Sequence, residues 1–188
     1  MSNRNAKRHA TSVLLLPLLF LTGCSSALGL GPRLAPEDEP YLFDRWDPDF
    51  ELAKPCEDLS EQAIASAGLS PLEGGFDSSK VDGLDSCTFL DENQASVMVN
   101  GLAAKLLKLQ TEGVPLSYAP NPEKQPVLAY SQEGDSGCSI AAETTRGTVE
   151  VIYDRGYFEK LNPEIDCVQA EKYFDLLIGE KLNEYRTN

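Results

Sequence analysis

Hydrophobic and polar residues alternate in two pairs of short segments downstream of residue 85. Residues 87–90 and 95–100 flank the polar turn DENQ, and residues 138–144 and 148–153 flank the turn TRG. Alternation with a period of two predicts strands, and two strands joined by a short polar turn pair antiparallel. Residues 127–130 predict a further strand. The pattern therefore predicts a sheet built from antiparallel hairpins.

Spacings of three and four residues predict helices before, between and after the hairpins. Ser60 can cap the short helix EQAIASA, which Gly68 ends, and LAAKLLKLQTEG predicts a second helix with Gly113 behind it. Pro163 starts the longest helix, which we expect to reach about Tyr185. Its expected core stripe is Cys167, Ala170, Phe174, Leu177, Ile178 and Lys181 or Leu182, with Glu171, Lys172, Asp175 and Glu180 outside. The order of elements predicts an α+β single domain, with an antiparallel β-sheet and helices mainly on one face.

The N-terminus has the layout of a secretory leader. Arg4, Lys7 and Arg8 precede an apolar run at 13–21, which is too short and too interrupted by proline to span about 30 Å of hydrocarbon. The run ends in LTGC, which resembles the lipobox of bacterial lipoproteins, where the cysteine is acylated and the bond before it is cut. We therefore expect Cys24 to be the lipidation site, with palmitate-type acyl chains as the anchor. The alternative is an ordinary leader with a chance cysteine.

This layout predicts three regions. Residues 1–23 form a lipoprotein signal peptide, residues 24–40 form the acylated cysteine and a flexible tether rich in Gly and Pro, and residues 41–188 form the α+β extracytoplasmic domain. Two or more acyl chains hold a protein firmly on a bilayer, whereas one chain does so only marginally. The expected location is the cell membrane, lipid-anchored on its extracytoplasmic side.

The charge and the histidine content of the chain argue against several classes of function. The chain has 30 acidic and 16 basic residues, and removing a leader with three basic and no acidic residues changes its formal charge from -14 to -17. Such a chain is not expected to bind nucleic acid, and the domain itself should not dock on anionic headgroups. The single histidine, His9, lies in the leader, so the mature chain lacks a Ser-His-Asp set or a histidine-bearing zinc site. We expect neither an enzyme nor a cofactor.

Four cysteines remain after Cys24: Cys56, Cys87, Cys138 and Cys167. An exported location favours disulfides over a zinc site, and no C-x-x-C pair brings metal ligands together. Three pairings are possible. We prefer Cys56 with Cys87 and Cys138 with Cys167, because this pairing joins the first and last helices to the sheet, each bond contributing about 3–4 kcal/mol.

The segment YLFDRWDPDF contains Tyr41, Phe43, Trp46 and Phe50 among aspartates. We expect these aromatic residues to latch the start of the domain onto its core, with an exposed patch for a partner as the alternative. Asp47-x-Asp49 lacks the glycine and terminal glutamate of a calcium loop, so no metal site is predicted.

Several cysteine-centred stretches resemble one known family. PCEDLSEQAIASAGL, DSCTFL with ASVMVN, GCSIAAETTRGTVEVIY and IDCVQAEKYFDLLIGEKL together are similar to secreted lipoproteins of actinobacteria, including the mycobacterial Lpr-type lipoproteins. That family is a four-cysteine domain of unknown function. The resemblance, over residues 55–182, implies the cell envelope and two disulfides, and it implies no catalytic residues.

The sequence thus predicts a non-enzymatic, lipid-anchored envelope protein that binds a partner: an envelope protein, a glycan or a lipid. A protein-binding module should expose a flat patch, for instance around Trp46 or Tyr118. The alternatives are a carrier of a lipid or other hydrophobic ligand, which needs an apolar cavity, and a hydrolase that uses two carboxylates in one cleft.

Overall fold

A computed structural model of the protein describes residues 34–72, 81–121, 127–132, 137–156 and 159–187. The predicted leader and the predicted lipidation site, Cys24, lie outside these residues. Within the described ranges, none of the helices combines the length and the apolar character needed to cross a bilayer.

Helices and strands alternate as the pattern predicts. The helices are α1 (Pro55–Asp58), α2 (Glu61–Ser66), α3 (Leu106–Glu112), α4 (Pro163–Leu177) and α5 (Leu182–Thr187). The strands are β1 (Ser70–Pro71), β2 (Leu84–Leu90), β3 (Ser96–Leu102), β4 (Gly113–Pro115), β5 (Val127–Gln132), β6 (Cys138–Thr144) and β7 (Gly147–Asp154).

In the described part of the chain, all seven strands form one sheet in the order β1-β2-β3-β7-β6-β5-β4. Every neighbouring pair is antiparallel, and both predicted hairpins, β2–β3 and β6–β7, are present. The short edge strands β1 and β4 were not predicted, because two or three residues are too few to establish a period. The predicted α+β class with an antiparallel sheet is confirmed.

One face of the sheet forms the main core. Val99, Val151, Ile140 and Ala129 lie side by side across β3, β7, β6 and β5, and all are buried. Helix α4 packs on β6 and β7, with Phe174 fully buried in the same cluster. The α4 backbone begins at Pro163, and its first turn is capped by the side chain of Asn162, which accepts from the Glu164 N–H at 3.1 Å.

The predicted last helix is interrupted. Helix α4 ends at Leu177, and α5 begins at Leu182 after a turn. The turn redirects the chain so that Leu182 and Tyr185 are buried, and the Tyr185 hydroxyl donates to Asp58 at 2.7 Å. Periodicity did not reveal this break, because the apolar positions keep helical spacing across it.

Both cysteine pairs within the described residues form disulfides. Cys56 bonds to Cys87 with a Cα–Cα distance of 5.8 Å, and Cys138 bonds to Cys167 with a Cα–Cα distance of 5.1 Å. The first disulfide joins α1 to β2 and the second joins β6 to α4. The preferred pairing is therefore confirmed.

Candidate functional site

A buried carboxyl lies on the sheet face opposite the main core. Glu150, in the middle of β7, is 2% exposed, and alternation along the strand directs it away from Val149 and Val151. Asn100 is its register partner on β3, and the Asn100 Nδ2 donates to Glu150 Oε1 at 2.7 Å. The Tyr130 hydroxyl on β5 hydrogen-bonds the other carboxylate oxygen, Oε2. Three strands therefore contribute to one buried polar cluster.

This cluster contains no compensating cation among the described residues. Burial raises the pKa of Glu150, and hydrogen bonds from Tyr130 and Asn100 offset only part of that effect. Burial and the neighbouring carboxylate also raise the pKa of Tyr130, so its phenol keeps the proton. Within the described ranges, Asn100 Oδ1 is buried without a hydrogen-bond partner. The arrangement is costly, because buried polar groups are normally satisfied and buried charges normally paired.

Two further buried carboxylates in the described residues serve the fold. Asp166 accepts from Arg155 Nε and from the Asn162 N–H, both at 2.6 Å, which fixes the start of α4. Asp91 accepts from the N–H groups of Asn93 and Ala95 at 2.8 and 2.9 Å, which closes the β2–β3 turn. Both carboxylates therefore bind backbone donors of their own fold.

Acidic residues do not gather into a metal site in the described part of the chain, where no group of three or more His, Cys, Asp or Glu side chains could hold an ion. The Asp47-x-Asp49 pair has a local role instead. Asp47 Oδ1 accepts from the Asp49 N–H at 2.9 Å, which is a turn stabilised by an aspartate side chain.

The aromatic segment is firmly attached to one end of the sheet. The Phe43 N–H donates to Ala103 O at 3.1 Å, and the Ala53 N–H donates to Arg146 O at 2.7 Å. Phe43 and Phe50 are half-buried and stack with ring centroids 5.4 Å apart. Phe43 and Phe50 thus pack on each other at the end of the sheet rather than in the main core, and Tyr41 and Trp46 remain exposed, so the expected attachment of all four aromatic residues to the core is not observed.

Trp46 lies on this attached segment with its side chain facing solvent. Its side chain is 44% exposed, and the Arg45 guanidinium lies 5.1 Å from the centroid of the indole. Arg45 is held by Asp82, through a 2.8 Å hydrogen bond to the carbonyl and a 3.2 Å ion pair with the carboxylate. Asp44 Oδ1 accepts from the Trp46 N–H at 3.0 Å. We call Trp46 and its neighbours Asp44, Arg45, Asp47 and Asp82 the Trp46 surface.

The other aromatic residue named from the sequence, Tyr118, is part of the packing. It is half-buried, and its hydroxyl donates to Glu171 on α4. Burial and this carboxylate raise the pKa of Tyr118 to about 12. Tyr118 therefore belongs to the contact between the chain after β4 and helix α4.

Two open clefts lie beside the aromatic segment. One has a volume of about 220 Å³ between Tyr41 and Lys108, and the other has about 330 Å³ between Phe43 and Lys105. Their lysines are engaged by the chain itself: Lys105 Nζ donates to Glu39 O at 2.6 Å, and Lys108 Nζ pairs with Glu112 at 2.7 Å. The first cleft is lined mainly by polar and charged side chains, whereas the second is lined by apolar and charged side chains in equal number.

Sequence reasoning did not predict the Glu150 cluster. Alternation along β7 places Val149, Val151 and Tyr153 on one face of the strand. The same period assigns Glu150 to the other face, but only the register with β3 and β5 brings Asn100 and Tyr130 to it.

The fold and these surfaces define a disulfide-linked α+β domain with an antiparallel sheet, a buried carboxyl cluster and a displayed tryptophan. Comparisons with protein-family models, with curated proteins and with solved structures find no significant match to this chain.

Proposed function

We propose that the protein is a lipid-anchored, extracytoplasmic module of the cell envelope that binds a partner without catalysing a reaction. The observation that supports binding most directly is Trp46, a large apolar side chain that contacts the Arg45 guanidinium and is left 44% exposed. Tryptophan and arginine are enriched among the residues that dominate binding energy at protein interfaces.

The anchor and the location rest on sequence features. LTGC at Cys24 resembles a lipobox, and the cysteine-centred stretches resemble actinobacterial lipoproteins. The disulfides Cys56–Cys87 and Cys138–Cys167 are consistent with this proposal, since disulfides persist in oxidising compartments.

A non-enzymatic role is supported by what the buried acids do. Asp91 and Asp166 bind backbone donors, and Glu150 is enclosed in the sheet with Asn100 and Tyr130. A glycosidase would instead need two carboxyl groups facing one cleft. Both described clefts are open to solvent and include charged side chains, which favours a binding surface over a carrier of apolar ligands.

The acidic residues around Trp46 favour a partner with lysine or arginine at its contact surface. Segment 36–51 has seven acidic residues and one basic residue, Arg45, whose charge is paired with Asp82. One face of the indole already holds a guanidinium, so a lysine or arginine of a partner can stack on the rest of the ring. We therefore propose an envelope protein with a basic contact segment as the partner.

Site-specific photocrosslinking in living cells tests this function. The anchored full chain would have p-benzoylphenylalanine at Val81, next to Asp82 and 42% exposed, and at Leu107 on α3, 44% exposed, as the control. We expect an adduct with a second protein from position 81 and none from position 107. Trp46→Ala should abolish the position 81 adduct, and Trp46→Phe should retain most of it.

Adducts that persist in Trp46→Ala, or that appear equally at both positions, would contradict the Trp46 surface as the binding site. Adducts that consist only of lipid would favour the carrier alternative.

A further inference from the structure

Helix α4 has apolar side chains on two opposite sides. One side packs into the main core through Phe174 and its neighbours. On the other side Ile165, Val168 and Leu176 are 47%, 47% and 50% exposed. We call these three residues the α4 ridge. The positions of Glu171, Lys172, Asp175 and Glu180 predicted a polar outer face here, so this apolar row was not expected from the sequence.

The ridge is continuous along the helix. Positions 165, 168, 172 and 176 are separated by three, four and four residues, which places them on one side of a helix over about 16 Å. Lys172 lies within this row, and its ammonium is 4.8 Å from the centroid of the Tyr173 ring. Its aliphatic stem can therefore continue the apolar surface while the charge lies to one side.

We infer that the α4 ridge is a docking surface for a different envelope protein, one that presents an apolar groove bordered by lysine or arginine. Glu164, Glu171 and Asp175 all lie along one flank of the ridge. Glu171 is held in place, because it accepts from the Tyr118 hydroxyl and from the Asn121 N–H. An amphipathic helix face of this kind fits a hydrophobic groove, and its acidic flank selects a basic rim.

The negative charge of the chain disfavours two other occupants of the ridge, a second copy of the chain and an anionic lipid surface. In an antiparallel two-fold pair of α4 helices, the acidic flank of one copy would face the acidic flank of the other. Each copy would also have a formal charge of -17 once the three basic leader residues are removed from the -14 of the chain. The same negative charge opposes contact of the ridge with anionic lipid headgroups.

The ridge adds a second surface to the proposed binding module, and its test does not depend on Trp46. The probe is a fluorescent 14-residue helical peptide of leucine and lysine with apolar residues at helical spacing, titrated onto the full chain in neutral detergent micelles. A leucine and glutamate peptide with the same spacing is the charge control. Ile165→Ser with Leu176→Ser removes two ridge side chains, and Val114→Ser removes a side chain of equal exposure, 49%, on edge strand β4.

We expect the double ridge variant to bind the basic peptide at least tenfold more weakly than the parent, and Val114→Ser to bind within twofold of the parent. The acidic peptide should bind at least tenfold more weakly than the basic one. Unchanged binding in the ridge variant, with the helical circular dichroism retained, would overturn the inference.

Photocrosslinking from position 168 in cells identifies the natural occupant. We expect an adduct with a second protein whose crosslinked segment is apolar with lysine or arginine beside it, and this adduct should persist in Trp46→Ala. Adducts between two copies of this chain, adducts with lipid alone, or no adduct at position 168 would each overturn the inference. Absence of any position 81 adduct in the parent chain, together with a protein adduct at position 168, would reject only the function proposed for Trp46.

Discussion

The side-chain nitrogen of Asn100 on β3 donates a 2.7 Å hydrogen bond to a carboxylate oxygen of Glu150 on β7, in the middle of the sheet. The Tyr130 hydroxyl donates a hydrogen bond to the second carboxylate oxygen. Both partners are neutral, so Glu150 is buried with hydrogen bonds but, among the described residues, with no opposite charge. Its ionisation should therefore be coupled to the stability of the sheet.

Glu150→Gln should weaken the pH dependence of stability. Burial raises the pKa of Glu150 above its ordinary value of 4.5, so the folded chain binds this proton more tightly than the unfolded chain. The stability contributed by Glu150 is therefore fully present below pH 4.5 and decreases as the pH rises through the folded pKa. Glutamine has no charge: its oxygen can accept from the Tyr130 hydroxyl, and its amide N–H can donate to Asn100 Oδ1, the buried oxygen that lacks a partner among the described residues. We expect it to raise the free energy of unfolding at pH 8 by about 1–2 kcal/mol. Urea unfolding from pH 4 to 9 measures the effect.

The matched control is Glu164→Gln, which removes an exposed carboxylate on α4. It should leave the shape of the pH profile close to that of the parent. A Glu150→Gln profile that runs parallel to the parent profile would show that Glu150 does not titrate differently in the folded and unfolded chains.

Arg155→Met should destabilise the domain strongly. Arg155 Nε and the fully buried Asp166 are 2.6 Å apart, so the substitution leaves a buried carboxylate without its cation. Because the arginine itself is partly exposed, we expect a loss of about 2–3 kcal/mol, near the lower end for broken buried pairs. Lys181→Met, which breaks the exposed pair with Glu184, should leave the stability close to that of the parent, because solvent screens exposed pairs. Equal losses in thermal or chemical unfolding would contradict a special role for the buried pair.

Removing either disulfide should destabilise the domain, and removing Cys138–Cys167 should cost more. The two bonds span 31 and 29 residues, so the constraint on the unfolded chain is similar, about 3–4 kcal/mol each. Cys138 and Cys167 are fully buried between β6 and α4, whereas Cys56 and Cys87 are half-buried. The paired Cys→Ala variants should therefore differ by the additional cavity at Cys138–Cys167. Denaturant midpoints compared at equal protein concentration test the order.

Cys24→Ala should release the protein from the membrane fraction. The expected anchor is a set of acyl chains on this thiol, so the substitution removes their attachment point. Fractionation and metabolic labelling with a palmitate analogue measure the effect, with Cys56→Ala/Cys87→Ala as a control that keeps Cys24. A variant that stays membrane-bound, together with an unlabelled parent chain, would reject the anchor.

The sequence by itself determined the local elements of this protein. Alternation specified the β2–β3 and β6–β7 hairpins, and Pro163 specified the start of α4, because turn and cap chemistry act within a few residues. The four cysteines and the positions of the helices were enough to prefer the pairing Cys56–Cys87 and Cys138–Cys167, since bonding sequential cysteines joins helices to neighbouring strands.

Only the tertiary structure decided where long-range contacts place the remaining side chains. Strand register brings Asn100 and Tyr130 to Glu150, and no single segment encodes that register. After the break at Leu177, the Tyr185 hydroxyl hydrogen-bonds Asp58, which lies 127 residues away along the chain. Local spacing does not encode such a contact. Helical spacing correctly predicted that the Phe174 side of α4 faces the core, but it did not reveal a second apolar row on the outer side. The sheet covers the Phe174 side, which leaves Ile165, Val168 and Leu176 exposed to solvent.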